Sequence, residues 1–183
     1  LVRDWSSDVC SSDLKFQQAI VYYDKILDED PKHISSLNNK GYALSKLKDF
    51  ASAMKCYDLA LEICPDDLSV LINKISSFRK QGNLIEAISI CDNILKNNSN
   101  YNVVLYHKER ILFSMNKFDE SISCCNRILK DYPDNGDVLF DKASNFAMLS
   151  NFDNALDLLE HAIFQGIQYK VKAKTSKSFE NLS

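Results

Sequence analysis

Residues able to carry chemistry are spread thinly along this chain of 183 residues. Six cysteines are present, Cys10, Cys56, Cys64, Cys91, Cys124 and Cys125. A structural zinc site needs thiols in closely spaced pairs, and no Cys-x-x-Cys occurs here. Cys56, Cys91, Cys124 and Cys125 fall instead at helical positions where a thiol serves as a small buried hydrophobe. Their unpaired spacing points to a reducing compartment, and so to the cytoplasm. His33, His107 and His161 are not arranged to activate a nucleophile, so a hydrolytic triad has no support. Four glycines stand singly, which leaves no phosphate-cradling loop. Asp66, Asp67 and Asp134 follow prolines, where carboxylates cap turns. The residues therefore predict no catalytic group, no metal site and no cofactor.

Composition narrows the class further. Hydrophobic residues make up 45% of the chain, enough for a buried core, and 22 basic residues face 25 acidic ones. No apolar run approaches the roughly 20 residues that span a bilayer. Residues 4–14 read DWSSDVCSSDL, with no apolar period. That string is what a common sequencing-library adaptor gives on translation, so it is set aside from the fold. Without Asp4, Asp8 and Asp13 the charges balance, which removes any general attraction for nucleic acid. The native start of the chain is expected upstream of the piece in hand.

The elements that must position any site follow from a repeat. Pro31, Pro65 and Pro133 are spaced by one and then two steps of 34 residues. Phe16, Phe50, Leu84, Phe118 and Phe152 recur at the same step. Ala19, Ala53, Ala87, Ser121 and Ala155 follow them, as do Leu27, Leu61, Leu95, Leu129 and Ile163. Within one period the apolar spacing is helical: Leu37, Gly41 and Leu44 share one stripe, and Phe50, Ala53, Tyr57, Ala60 and Leu61 another. The connection at Lys48–Asp49 is short enough to force an antiparallel helical hairpin. Such a hairpin is too small to bury its own faces, so neighbours must stack.

The run Leu37–x2–Lys40–Gly41–x2–Leu44, then Ala53–x3–Tyr57 and Pro65, resembles the tetratricopeptide repeat. The resemblance covers 13–169 and implies an all-α fold, a right-handed superhelical solenoid of stacked antiparallel helical hairpins. It divides the chain into an adaptor-derived or irregular 1–12 and the second helix of a truncated repeat over 13–33. Complete repeats follow at 34–67, 68–101, 102–135 and 136–169, with a capping helix or tail over 170–183. These form one continuous domain over 13–183. Ile75 and Glu109 depart from the pattern at the Gly41 position, and Ser99 and Ile167 replace the proline. A buried carboxylate is costly, so the hairpin holding Glu109 is expected to splay or to let that group reach solvent.

By analogy with the family, the first helix of each repeat lines a concave groove. The expected inward set is Asn38, Asn39 and Tyr42, then Ile72, Asn73, Ser76 and Arg79. Tyr106, His107, Arg110 and Phe113 come next, and Phe140, Asp141 and Ser144 close it. The family's clamp for a ligand's terminal carboxylate matches only at Asn73, since Asn38, Tyr42, Val103 and His107 do not complete it. Aromatics together with Arg79, Arg110 and Lys80 predict a non-enzymatic scaffold for a peptide or short helix of another protein, with acidic and aromatic character. The alternative is a regulatory or substrate-recruiting arm of an enzyme whose catalytic domain lies outside the piece. A reader of RNA would need a basic surface, which the balanced charge does not supply.

Overall fold

In the computed structural model, residues 5–98 and 101–182 are described, with side chains over 12–98 and 101–180. Among the described residues every regular element is helical. These are α1 (Trp5–Glu29), α2 (Ile34–Lys46), α3 (Phe50–Ile63), α4 (Leu68–Gln81) and α5 (Leu84–Asn97). Next come α6 (Asn102–Ser114), α7 (Phe118–Asp131), α8 (Gly136–Met148), α9 (Phe152–Gln165) and α10 (Gln168–Thr175), then a 3-10 helix, Lys177–Leu182. Residues 1–4 of the segment expected to be irregular lie outside the described residues. Residues 5–12, by contrast, are helical and continue α1 toward its start. The amphipathic stretch after residue 13 supplies the nucleus, and adding residues to an existing helix needs only one hydrogen bond each.

The chain reverses inside each hairpin through one residue of left-handed backbone. Lys48, Gly82, Asn116 and Ser150 hold φ of 64°, 88°, 59° and 58°, and they too recur every 34 residues. The helix that follows is capped by a side chain in the first and last of these hairpins: Asp49 accepts the Ser52 N–H, and Asn151 that of Asn154. Asp67 and Asn135 do the same for Val70 and Val138 at the starts of α4 and α8.

Contacts divide the chain into two compact units, one ending at Glu86 and one beginning at Ala87. The boundary falls inside α5, whose buried residues are Ala87 and Cys91. In the first unit α1 packs on α2, and the α2–α3 hairpin packs on α4 around Leu37, Ala53, Tyr57, Ala60 and Val70. In the second, the α6–α7 and α8–α9 hairpins stack around Leu105, Leu112, Cys125 and Ile128 and around Leu139, Ala143, Ala155 and Ala162. Stacking is also keyed by charge. Lys40 pairs with Asp24, while Lys74 lies 2.6 Å from Asp58 and Lys108 2.6 Å from Asp92. Each pair links a first helix to the second helix before it.

Where the two helices of a hairpin cross, side-chain sizes compensate. A Cβ added to Gly41 would stand 2.6 Å from Cε1 of Tyr57, a ring buried completely. In the next hairpin of that register for which the contact is resolved, Glu109 faces Cys125, whose Sγ lies 3.9 Å from Glu109 Oε2. In the last, Ala143 shares a core with Leu159. The α6–α7 hairpin is therefore closed, contrary to expectation, and Glu109 is 1% exposed. Ser121 Oγ donates to the Glu109 carbonyl at 3.0 Å and reaches Oε2 at 3.4 Å. Burial, and next the neighbouring Asp141 carboxylate, push the Glu109 carboxyl up to about 9. Burial raises Asp141 as well. The pair retains a proton, so Glu109 sits in the core as a neutral acid and avoids the far larger cost of burying its charge.

Two outcomes follow from this crossing. Gly41→Ala should lose about 1–3 kcal/mol in chemical denaturation, because the buried Tyr57 ring has no room to give. Pairing it with Tyr57→Leu should recover at least about 0.5 kcal/mol of the summed losses of the two single changes. For Glu109, the unfolded side chain titrates near ~4.3. Above that pH the unfolded chain has released a proton that the folded chain keeps until about 9. Stability should therefore fall as pH rises through this window. Glu109→Gln should flatten that slope and raise the melting midpoint near pH 8, read by thermal melts from pH 5 to 9.

Candidate peptide-binding faces

In the first unit the exposed face is built by α2 and α4. Asn39 and Tyr42 are open to solvent, while Asn38, Ile72, Asn73, Ser76 and Arg79 are half-buried. Asn73 Nδ2 donates to Asn38 Oδ1 at 2.9 Å, which ties the two helices at mid-face and uses part of both amides. Tyr42 stands edge-on to Phe16 of α1, ring centroids 6.3 Å apart, and the Lys46 ammonium lies 5.1 Å from the Tyr42 centroid. Lys46 ends α2 as Arg79 and Lys80 end α4, where the helix dipoles favour cations. Partial burial first, then the fields of Lys46 and Arg79, hold the Lys80 ammonium below the usual lysine range. Three cations thus crowd one end of this face, beside an exposed aromatic ring.

The corresponding face of the second unit, on α6 and α8, differs from expectation at its far side. Arg110 is exposed, its Nη1 donating to the Tyr106 hydroxyl at 3.2 Å and its guanidinium carbon 5.4 Å from that ring's centroid. His107 is half-buried beside Tyr106. Phe113 turns toward Phe118 at the hairpin bend, centroids 5.5 Å apart. Phe140 and Ser144, expected to line the groove, are buried. The Phe140 ring is covered by Tyr169 of α10 and Phe179 of the 3-10 helix, at 6.0 Å and 5.4 Å. Ser144 Oγ is turned back onto the Phe140 carbonyl. The closing segment thus takes over an aromatic that repeat analogy alone would leave facing a ligand. Asp141 keeps 17% of its side chain exposed and lies 3.9 Å from Lys172 of α10.

Between the starts of α6 and α8 and the end of α7 lies a cleft of about 410 Å³. Val103, Tyr106, Tyr132 and Val138 give it an apolar lining, and Asn102 and Asp137 stand among its polar groups. Lys46 and Asp137 are absent from the expected groove, and Val103 enters the sequence reading only as an unmatched clamp position. Lys46 continues the stripe of Asn39 and Tyr42 by one turn, and Val103 precedes Tyr106 by one turn, so helical spacing alone could have found both.

Cys56, Cys91, Cys124 and Cys125 belong to the interior. Burial raises the thiols of Cys56, Cys124 and Cys125, and pushes that of Cys91 up to about 12, so these groups pack as neutral hydrophobes. Among the described residues no group of three or more His, Cys, Asp and Glu could hold a metal ion. No described helix is long and apolar enough to cross a membrane.

The tetratricopeptide repeat family model matches residues 34–67, the α2–α3 hairpin. No curated protein matches the sequence. Solved structures match along most of it. YrrB, described as a TPR protein with an unusual peptide-binding site, is 18% identical with a TM-score of 0.69, over 92% of this chain and 88% of its own. MamA is 16% identical with a TM-score of 0.72, over 94% of this chain and 99% of its own. A tetratricopeptide repeat protein from Parabacteroides merdae is 20% identical with a TM-score of 0.73, over 83% of this chain and 59% of its own. Residues 34–67 thus match the tetratricopeptide repeat, and the chain as a whole shares the helical-repeat fold of these structures.

Proposed function

We propose that the chain is a non-catalytic scaffold that binds a segment of another protein, and that the α2–α4 face of its first unit takes an acidic segment carrying an aromatic side chain. The observation that carries this reading is the gathering of Lys46, Arg79 and Lys80 beside exposed Tyr42. An incoming carboxylate relieves the mutual repulsion of these cations, and Arg offers it two parallel hydrogen bonds. Tyr and Arg are also the side chains that most often dominate protein interfaces. The Asn38–Asn73 pair keeps further amide donors and acceptors at mid-face for a bound backbone. That YrrB is described as having a peptide-binding site is in keeping with such a role. The buried, neutral thiols suit work in a reducing compartment such as the cytoplasm.

The test is fluorescence anisotropy with a blocked peptide alternating Glu with Phe and Leu. Lys46→Glu and Arg79→Glu should each weaken binding about tenfold or more, equivalent to about 1.4 kcal/mol. Affinity should also fall as salt is raised, because the cations are near the surface. Equal affinity of the unaltered chain and the Lys46→Glu, Arg79→Glu double variant would remove this face from the interaction.

A further inference from the structure

The closing segment of the chain is itself basic. Lys170, Lys172, Lys174 and Lys177 fall within eight residues, alternating with Tyr169, Val171 and Ala173 over most of α10. This segment is seated on α8 in one particular manner. Tyr169 is buried, its ring stacked on Phe140 and lying over Gly136, where an added Cβ would stand 2.5 Å from Tyr169 Cε2. One turn later, the Lys172 ammonium lies 4.2 Å from the Phe140 centroid and 3.9 Å from Asp141 Oδ1. An aromatic face beside a carboxylate is the chemistry that recognises an ammonium or guanidinium group. The chain thus displays, against its own α8, an apolar ring followed by a cation.

The seat continues into open surface. Asp137, exposed one turn before Asp141 on α8, is also a wall of the cleft lined by Val103, Tyr106, Tyr132 and Val138. Val103 and Tyr132 are each 56% exposed, so the apolar floor is accessible. Asn102, in the wall of the same cleft, donates to Asp131 Oδ2 at 3.0 Å. The cations that act on Asp141 are Lys172 and Arg110, the latter held against Tyr106. Asp137 and Asp131 at the cleft, with Asp141 at the Lys172 seat, are the carboxylates that an incoming cation would meet.

We propose that the α6–α8 face of the second unit binds a basic, apolar-flanked segment of a partner protein, whose Lys or Arg meets Asp137 and Asp141 in the place that Lys172 holds in the unbound chain. The apolar neighbour of that cation fills the cleft between Val103, Tyr106 and Tyr132. Lys172 is half-exposed and its pairing is long, and such surface ion pairs contribute about 0–1 kcal/mol, so a partner displaces it at little cost. Being tethered, Lys172 acts as a competitor of high effective concentration, which sets a threshold for binding.

The test uses the full chain and a blocked peptide alternating Lys with Leu and Tyr, followed by anisotropy. Lys172→Ser should tighten binding about threefold or more, since the internal competitor is gone. Asp137→Lys and Val103→Asp alter exposed side chains and should each weaken it about tenfold, with helix content unchanged by circular dichroism. The proposal is overturned if the Lys peptide binds Asp137→Lys as tightly as the unaltered chain, or if Lys172→Ser leaves its affinity unchanged. The Glu-containing peptide reports on the first unit and should keep its affinity in all three variants, so failure of one site is distinguishable from failure of the other.

Discussion

The distance between the two helices of the α2–α3 and α6–α7 hairpins depends on a single crossing, where one side chain of the first helix meets one of the second. Gly41 lets Tyr57 lie flat across α2, and nothing larger than hydrogen fits beneath that ring. Sixteen residues separate the two positions; the same spacing pairs Glu109 with Cys125, and Ala143 and Leu159, again sixteen apart, share one core. Size given up by one partner is taken by the other, as dense packing requires. Ile75 and Cys91 occupy the same two positions of the sequence.

That compensation explains how a carboxyl group came to occupy a core position. Replacing Gly with Glu opposite a Tyr would clash, but opposite Cys125 the added volume fits. The remaining difficulty is polarity, and it is met locally. Ser121, at the small-residue position of α7, offers its hydroxyl, and Asp141 of the next first helix shares the proton. The result links α6, α7 and α8 through one neutral acid group just beneath the surface that carries Arg110 and Lys172.

Most of the fold could be read from spacing, because the recurring Phe, Ala and Leu positions mark which side of each helix is buried. The fate of Glu109 could not be read in the same way. Judging it alone counts the burial cost but omits Cys125 and Ser121, which sit a dozen or more residues along the chain. Phe140 was misjudged for a related reason. Repeat analogy assigns each position the environment it has in the middle of an array, whereas α8 is followed by a segment of different composition that covers that ring. Residues 5–12 look unsuited to a helix by composition, yet they extend one that is nucleated elsewhere. The candidate faces are legible as stripes of helical period, and the basic residues Arg79, Lys80 and Arg110 are legible with them. Lys46 adds a third cation to the basic end that Arg79 and Lys80 mark, whereas Asp137, one turn before Asp141, gives the other face a second carboxylate.

The lysine–aspartate pairs at the joints carry a meaning apart from their small energy. Lys40, Lys74 and Lys108 each find an Asp sixteen residues earlier, on the helix against which they stack. Every such joint therefore presents the same plug and the same socket. A gene that duplicated or lost one whole repeat among these would leave each new neighbour already matched, with no second mutation needed to mend the seam. At the step from α7 to α8 the lysine persists as Lys142, but Asn126 stands in the socket. Interchange stops there, and the last repeat with its closing segment would be inherited as one piece.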